Sequence, residues 1–464
     1  MNRTVVCFAA ILSALALRGE FRAGFSRVDM TPPIGTGLSG YSVIRVSDGI
    51  KDTLDINAVA FSDGTNTAVV ISADVINFRA YFNLYRKQAA AAAGLPPEAL
   101  FIACTHTHTG PVIGACIYGQ TFDSFEKAST YERFVGERLA DAARLAIADL
   151  APAELSIARG EAKNVSFIRR YRMKDGTCRT NPGVGNPDVV AAVGKPDEMV
   201  QLVRIDREGR DSIALVNFQC HPDTIGGCKI SADWPRVVRE TVESALCGVK
   251  CVFINGAQGD SNHICVDKSR KDVARGRDVV YRHIGRVVAG AAIGAWDACE
   301  RVPAGKVGFG VTLGKAKTNR AAPEEIPEAQ RIMDLFHAGK LDQIPGKGMQ
   351  RVTNEAAARR KVYLKDGPDY FDLPLSAVTV GDTLAFVGFP GEPFTAYGMT
   401  LKEKSPFRMT VPACIVNGSF GYLPTDEALR ETGYETQGSL FVVGLEQTIV
   451  GGHLEQLRRL FAAQ

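Results

Sequence analysis

From Phe25 onward, short apolar runs alternate with amphipathic stretches. Ala58 to Phe61 and Thr67 to Ser72 (TAVVIS) are rich in β-branched or apolar residues, lie between turn residues, and predict strands. Residues 79–93 predict a helix that ends at Gly94 and the Pro96-Pro97 pair. Over residues 131–150, Phe134, Val135, Leu139, Ala142, Ala143, Ala146 and Leu150 recur at helical spacing and give that segment one inward face. Ala99 to Ala103 is a further apolar run, and strands are predicted at Leu155 to Ala158, Val200 to Ile205, Ser212 to Phe218, Val249 to Ile254, Val307 to Thr312, Ser376 to Val380 and Thr383 to Val387. Helices near 235–246 and 273–298 come between them. This order predicts an α/β fold, a layered mixed β-sheet core flanked by α-helices in one large domain. Residues 314–366 are polar, with a helical stretch around 323–338. They read as a surface excursion within the domain or as a linker, and no separate C-terminal module is expected.

Composition narrows the class. The 464 residues are 45% hydrophobic and 23% charged with a net charge of +3, which suits a globular protein with a core of normal size. No basic run lies on a predicted helix face, so nothing points to nucleic acid as a partner. The eleven cysteines contain no CxxC pair and sit mostly in apolar runs, as buried free thiols do. The N-terminus pulls the other way. Arg3 precedes Val5 to Leu17, and Ala14-Leu-Ala16 fits a small-residue cleavage site. Thirteen helical residues span about 20 Å, short of a bilayer core of about 30 Å. Residues 1–18 are therefore predicted as a signal peptide and 19–464 as the mature domain. The expected location is secreted or periplasmic, with the cytoplasm as the alternative that the cysteines suggest.

The chemistry starts at CTHTHTGP (Cys104 to Pro111). Residues i and i+2 of an extended segment face one side, so His106 and His108 are expected together, with Thr105, Thr107 and Thr109 opposite. The carboxyl end of a strand is where sheet folds place their sites. A zinc site needs about three or four ligands, usually from distant segments. His221 in VNFQCHP, Glu392 in FVGFPGEP and Tyr422 in NGSFGY share one layout: an apolar run, a residue able to bind metal, then a turn. Taken alone, each also reads as an ordinary loop or core residue. Asp74 and Asp233 are candidates to orient the imidazoles, or caps and surface charges. Asp233 before Trp234-Pro235 has the look of an N-cap. Asp260 and Asn262 lie in a glycine-containing turn that reads as structural, and His263, His283, His337 and His453 as non-ligands.

Together these motifs resemble the neutral/alkaline, non-lysosomal ceramidases. THTHTGP, VDMTPPIG (Val28 to Gly35), NFQCHP, FINGAQGD (Phe253 to Asp260), FPGE and the Tyr422–Tyr434 spacing follow the family's order over residues 24–450. The resemblance implies one catalytic domain and a zinc-dependent amidase that splits the N-acyl bond of ceramide. It implies one zinc per chain, held by His106, His221, Glu392 and Tyr422. It gives His108, Arg169 and Tyr434 catalytic roles, with Arg170 the alternative one position along. Three departures stand out: the family's C-terminal immunoglobulin-like module is not expected here, Ile168 replaces an asparagine before the arginine, and Gly256-Ala-Gln-Gly-Asp260 lacks a serine. The last favours metal-activated water as nucleophile. His108 is then expected to handle the proton of the water or the leaving amine, with Arg169 and Tyr434 as hydrogen-bond donors. The expected partner is a small-molecule or lipid amide, with transient membrane or micelle contact.

Other readings stay open. An esterase or deacetylase acting on a smaller or sugar-linked acyl group would use the same site. A (β/α)₈ amidohydrolase also begins with H-x-H but needs more downstream ligands, of which only His221 qualifies. A non-catalytic lipid- or glycan-binding protein would keep the scaffold alone.

Overall fold

The structure, a computed structural model, describes residues 20–114 and 124–464. The predicted signal peptide, with Cys7, and Cys116 lie outside the described residues. The larger sheet contains β1 (Arg22–Asp29), β2 (Asp55–Ser62), β3 (Thr67–Ala73), β4 (Leu100–Cys104), β5 (Ala151–Glu161), β6 (Met199–Arg207), β7 (Ser212–Phe218), β8 (Val249–Asn255) and β9 (Glu300–Val302). Its order is β8-β7-β6-β5-β1-β2-β3-β4, with β9 beside β5. The smaller sheet runs β10 (Val307–Lys317), β11 (Tyr370–Val380), β12 (Leu384–Gly388), β13 (Met409–Ala413). The long helices are α1 (Phe82–Ala93), α2 (Thr130–Ala148), α3 (Trp234–Ala245), α4 (Arg277–Trp296), α5 (Ile326–His337), α6 (Met349–Leu364) and α7 (Thr395–Lys404). A short α8 (Tyr434–Gly438) and the terminal α9 (Gly452–Ala462) complete the set used below.

The layered α/β architecture is as the pattern predicts, and its core holds two sheets face to face. Alternation along each strand explains how. In β2 and β3, Ile56, Ala58, Val69 and Ile71 pack against α1 and α2, while Val59, Phe61, Ala68 and Val70 point at the second sheet. In β7, Ala214 and Val216 meet α3 and α4, and Ile213 and Leu215 meet the second sheet. On the small sheet, Val378 and Phe386 face inward and Leu375, Ala377 and Val387 face α7 and α9. Strands covered on both faces read as continuous apolar runs, which is why the sequence located them.

Within these two sheets three pairs are parallel: β3 with β4, β7 with β8, and β12 with β13. Each needs a crossover, and α1, α3 and α7 supply them. The parallel pairs matter because the residues singled out above follow the carboxyl ends of β4, β7, β8, β12 and β13. Asn255 at the end of β8 ties these ends together. Its side-chain amide donates to the carbonyls of Thr105 (3.0 Å) and Cys220 (3.3 Å), and its carbonyl accepts from Cys414 N (3.0 Å).

Residues 314–366 finish β10 and then form α5 and α6. Far from being only surface, α6 lies over the candidate site. The nine cysteines among the described residues are free thiols, six of them buried. No helix among the described residues is long and apolar enough to cross a membrane.

Candidate metal centre and its cavity

His106 does not extend strand β4. It lies two residues beyond it, with φ +71°, in the left-handed region that β-strands exclude. The expected same-side rule therefore does not apply, yet the rings still meet. His106 and His108 have centroids 5.1 Å apart, and each lies 5.1 Å and 5.7 Å, respectively, from His221. Thr107 and Thr109 do point away, both donating to the carbonyl of Ser231 at 2.7 and 2.9 Å. These bonds pin the segment, and the positive φ of His106 turns its ring to the site.

The tautomers follow from the neighbours. His106 Nδ1 faces the carbonyl of Ile76 at 3.0 Å, and His221 Nδ1 faces those of Gln258 and Ser261 at 2.9 Å each. A carbonyl only accepts, so each Nδ1 carries a proton and each ring turns its Nε2 to the site. The two Nε2 atoms converge on one carboxylate oxygen, Glu392 Oε2, at 3.3 Å and 3.1 Å. Burial would raise the pKa of Glu392, but the two imidazoles hold it well below the usual range. Burial, helped by Arg169, pushes His221 down to about 3.

Glu392 and Tyr422 are brought side by side by backbone pairing: Glu392–Pro393 and Tyr422–Leu423 form a two-residue parallel ladder with Glu392 opposite Tyr422. Burial lifts the Tyr422 phenol well above 10. The turn in FINGAQGD holds this ladder. Gly259 N donates to Pro393 O (2.7 Å), and a Cβ on Gly259 would stand 2.4 Å from the Glu392 carbonyl. Asp260 accepts from the backbone and hydroxyl of Thr395, both at 2.7 Å, which anchors the start of α7.

Arg169 is the arginine that faces the site. Its Nη1 lies 3.4 Å from His221 Nε2, its guanidinium 5.3 Å from the Tyr422 ring centre, and its Nε donates to Glu435 at 2.6 Å. Arg170 turns the other way, to Glu431 at 2.9 Å and the Phe394 ring. Burial opposes the charge of Arg169, but Tyr422, Glu435 and Glu392 hold its pKa above the usual value. Tyr434 opens α8, its ring centre 5.5 Å from that of Tyr422, and burial pushes its phenol up to about 12.

His108 differs from the other two imidazoles. Among the described residues neither ring nitrogen has a hydrogen-bond partner; the carboxylate of Asp223 lies 3.7 Å from Nδ1. Burial lowers its pKa to about 4. Gly40, with φ +111°, lies against it so closely that a Cβ there would be 2.7 Å from the His108 Cβ. The side-chain donors of His106, His108 and His221 lie within 4.8 Å of one another, so the trio can hold a metal ion.

Asp74 and Asp233 do not orient the imidazoles; backbone carbonyls do. Asp74 takes a two-point ion pair from Arg239, at 2.6 and 3.0 Å. Asp233 caps α3 through Trp234 N and accepts from Thr224 and Ile225, fixing the loop after His221. His263, His283, His337 and His453 lie outside the cluster. Sequence reasoning did not reach Glu435, Asp223 or the α6 residues. Asp223 alone had a signal, two positions after His221.

A cavity of about 200 Å³ opens above this floor. His106, His108, Glu392, Tyr422 and Tyr434 form its base, Ser39 to Ser42 one side, and Val352, Glu355, Ala356 and Arg359 of α6 the other. His221 and Arg169 lie behind the base.

No protein-family model matches the sequence, and no curated protein matches it. Solved structures do. The chain superposes over 95% of its length on 75% of the crystal structure of a neutral ceramidase from Pseudomonas aeruginosa, with a TM-score of 0.69 at 18% identity. A ceramidase complexed with C2 matches over 95% of this chain and 76% of its own, at TM-score 0.67 and 18% identity. The chain has the neutral ceramidase fold. Within that ceramidase fold, the motifs read from the sequence gather at one point. THTHTGP, NFQCHP, FPGE and the tyrosine pair surround the cavity base, and FINGAQGD braces them from below.

Proposed function

We propose that the protein is a zinc-dependent hydrolase that splits an N-acyl (amide) bond by metal-activated water, with a ceramide-like lipid amide as the first substrate to test. The observation that carries this reading is the convergence of the His106 and His221 Nε2 atoms on Glu392 at 3.3 and 3.1 Å, beside Tyr422, at the base of a cavity. The donors suit zinc: two imidazoles, a carboxylate kept ionised and a phenol. His106, His221, Glu392 and Tyr422 would hold one ion per chain. A bound zinc would lower the pKa of water toward about 7 and polarise the scissile carbonyl.

The remaining chemistry belongs to side chains. His108, largely neutral at pH 7 and with no partner for its ring nitrogens among the described residues, is placed to accept the proton of the attacking water and pass one to the leaving amine. Asp223 stands close enough to orient that ring. Arg169, charged and fixed by Glu435, and Tyr434 are donors aimed at the oxyanion or at substrate hydroxyls. Because the guanidinium is already locked, little reorganisation accompanies the reaction. Export by way of residues 1–18 is part of this proposal on sequence grounds.

A second reading, an esterase or deacetylase for a smaller acyl group, is favoured by the cavity. At about 200 Å³ it is smaller than the roughly 300–1,000 Å³ of drug-sized sites, and Arg79, Glu355 and Arg359 line it. Hydrolysis of a fluorogenic N-acylsphingosine, run with zinc and with chelator, tests both. Turnover that chelator abolishes and zinc restores supports the lipid amidase. A protein that holds one zinc, leaves this substrate intact and cleaves short acyl amides or esters instead is the smaller-acyl enzyme.

A further inference from the structure

Six of the fourteen large apolar side chains that stand exposed among the described residues fall within one seventeen-residue segment: Ile34, Tyr41, Val43, Ile44, Val46 and Ile50, at 43–61% exposure. The segment is a braced hairpin. Gly37–Leu38 pairs with Arg45–Val46, Ser47 N donates to Thr36 O (2.9 Å), and Ser39 N donates to Gly110 O (2.9 Å), just after the histidine motif. Arg45 turns inward. It donates to the carbonyls of His108 and Ser39 and lies 4.1 Å from the Tyr41 ring centre. Its tip, Ser39 to Ser42, forms one side of the cavity.

Apolar side chains held out on a rigid hairpin beside a site mark an interaction surface. The hairpin's chemistry selects the partner. No acidic residue occurs between Asp29 and Asp48, Lys51 stands exposed at the base, and Lys229 neutralises Asp48 at 3.1 Å. The hairpin's own outer face carries no carboxylate; at its tip the Tyr41 hydroxyl donates to Asp223, which holds that ring in place, and the aliphatic side chains that flank it suit the bilayer boundary. We infer that the hairpin of residues 34–50 docks on a lipid bilayer and sets the cavity mouth against the membrane surface. This rests on the lipid-amide reading and deepens it. The substrate passes from the bilayer along Tyr41 and Ser42 to the site, so the small cavity need enclose only the reacting end of the lipid while its chains stay in the membrane.

The test reads binding apart from turnover. The full chain is floated with unilamellar phosphatidylcholine vesicles that contain no substrate, beside the Ile44→Ser/Val46→Ser double variant and Leu313→Ser, an equally exposed residue on β10. Wild type and Leu313→Ser are expected to float, and the double variant to partition at least about tenfold more weakly. The double variant should still cleave a water-soluble short-chain N-acyl substrate at the wild-type rate, which shows that it is folded. The inference is overturned if wild type does not float, if the double variant floats as well, or if Leu313→Ser weakens binding equally. A wild-type dimer that the double substitution dissociates, with no vesicle binding, would make the hairpin a self-association surface instead. A chain that floats but cleaves no acyl bond keeps the docking inference and removes the hydrolase reading.

Discussion

Two clusters of buried charge flank the strand ends, and they differ in what they leave unpaired. Behind the site, Arg239 grips Asp74 at two points with side chains 1% and 0% exposed, while Asp55 meets Arg236 at 2.7 Å and Arg27 at 3.9 Å. Each charge there faces an opposite one. In front, Glu392 faces two imidazoles, His108 has no hydrogen-bond partner among the described residues, and Arg169 directs an N–H toward His221 Nε2. Paired charges in fixed geometry hold architecture together. Rigidly held donors and acceptors with capacity to spare, at the base of a cavity, are suited to chemistry.

Substitutions can break that contrast. The largest effect is expected from the ligand set. Chelation should abolish turnover and added zinc restore it, whereas Glu392→Ala should lose both activity and bound zinc, read by metal analysis, with no rescue. His108→Ala should keep about one zinc per chain yet lose about 10²–10⁴ in kcat, because its contribution is proton transfer. Loss of the zinc as well would make His108 a ligand. Asp74→Ala probes the other cluster. Denaturant unfolding should show a loss of about 3–5 kcal/mol, from stranding Arg239, while the folded fraction still binds zinc. Arg169→Lys should lower kcat/KM by about 10²–10³, since a lysine cannot donate to Glu435 and the oxyanion together. The smallest effect is expected for Glu435→Gln, about 10- to 100-fold in kcat/KM, through looser placement of Arg169. Equal losses for Arg170→Lys would reverse the assignment of the two arginines.

How far the sequence could be read varied by element. β2, β3 and β7 were clear because both faces are covered and the runs are apolar throughout. β1 (RAGFSRVD) mixes polar and apolar residues and was missed. So was α6 (MQRVTNEAAARRKVYL), which has no apolar stripe and is helical through its alanines, arginines and glutamate. Its packing is by small contacts: a Cβ on Gly438 of α8 would come 3.4 Å from Ala356. At the site, His106, His221, Glu392 and Tyr422 were legible through the strand-then-turn layout and the resemblance. The geometry proposed for His106 was not, because an extended segment and a left-handed turn have the same local sequence cues here.

The sequence by itself determined the alternation of elements, the apolar faces and the residue types able to hold a metal. These depend on local periodicity and on each residue's own chemistry. Tertiary structure decided which of those residues meet. The Glu392–Tyr422 register, the choice of Arg169 over Arg170, the burial of Glu435 and the position of α6 over the cavity all depend on contacts between segments tens to hundreds of residues apart. The free energy of such contacts comes from burial and pairing in three dimensions, and no local pattern encodes it.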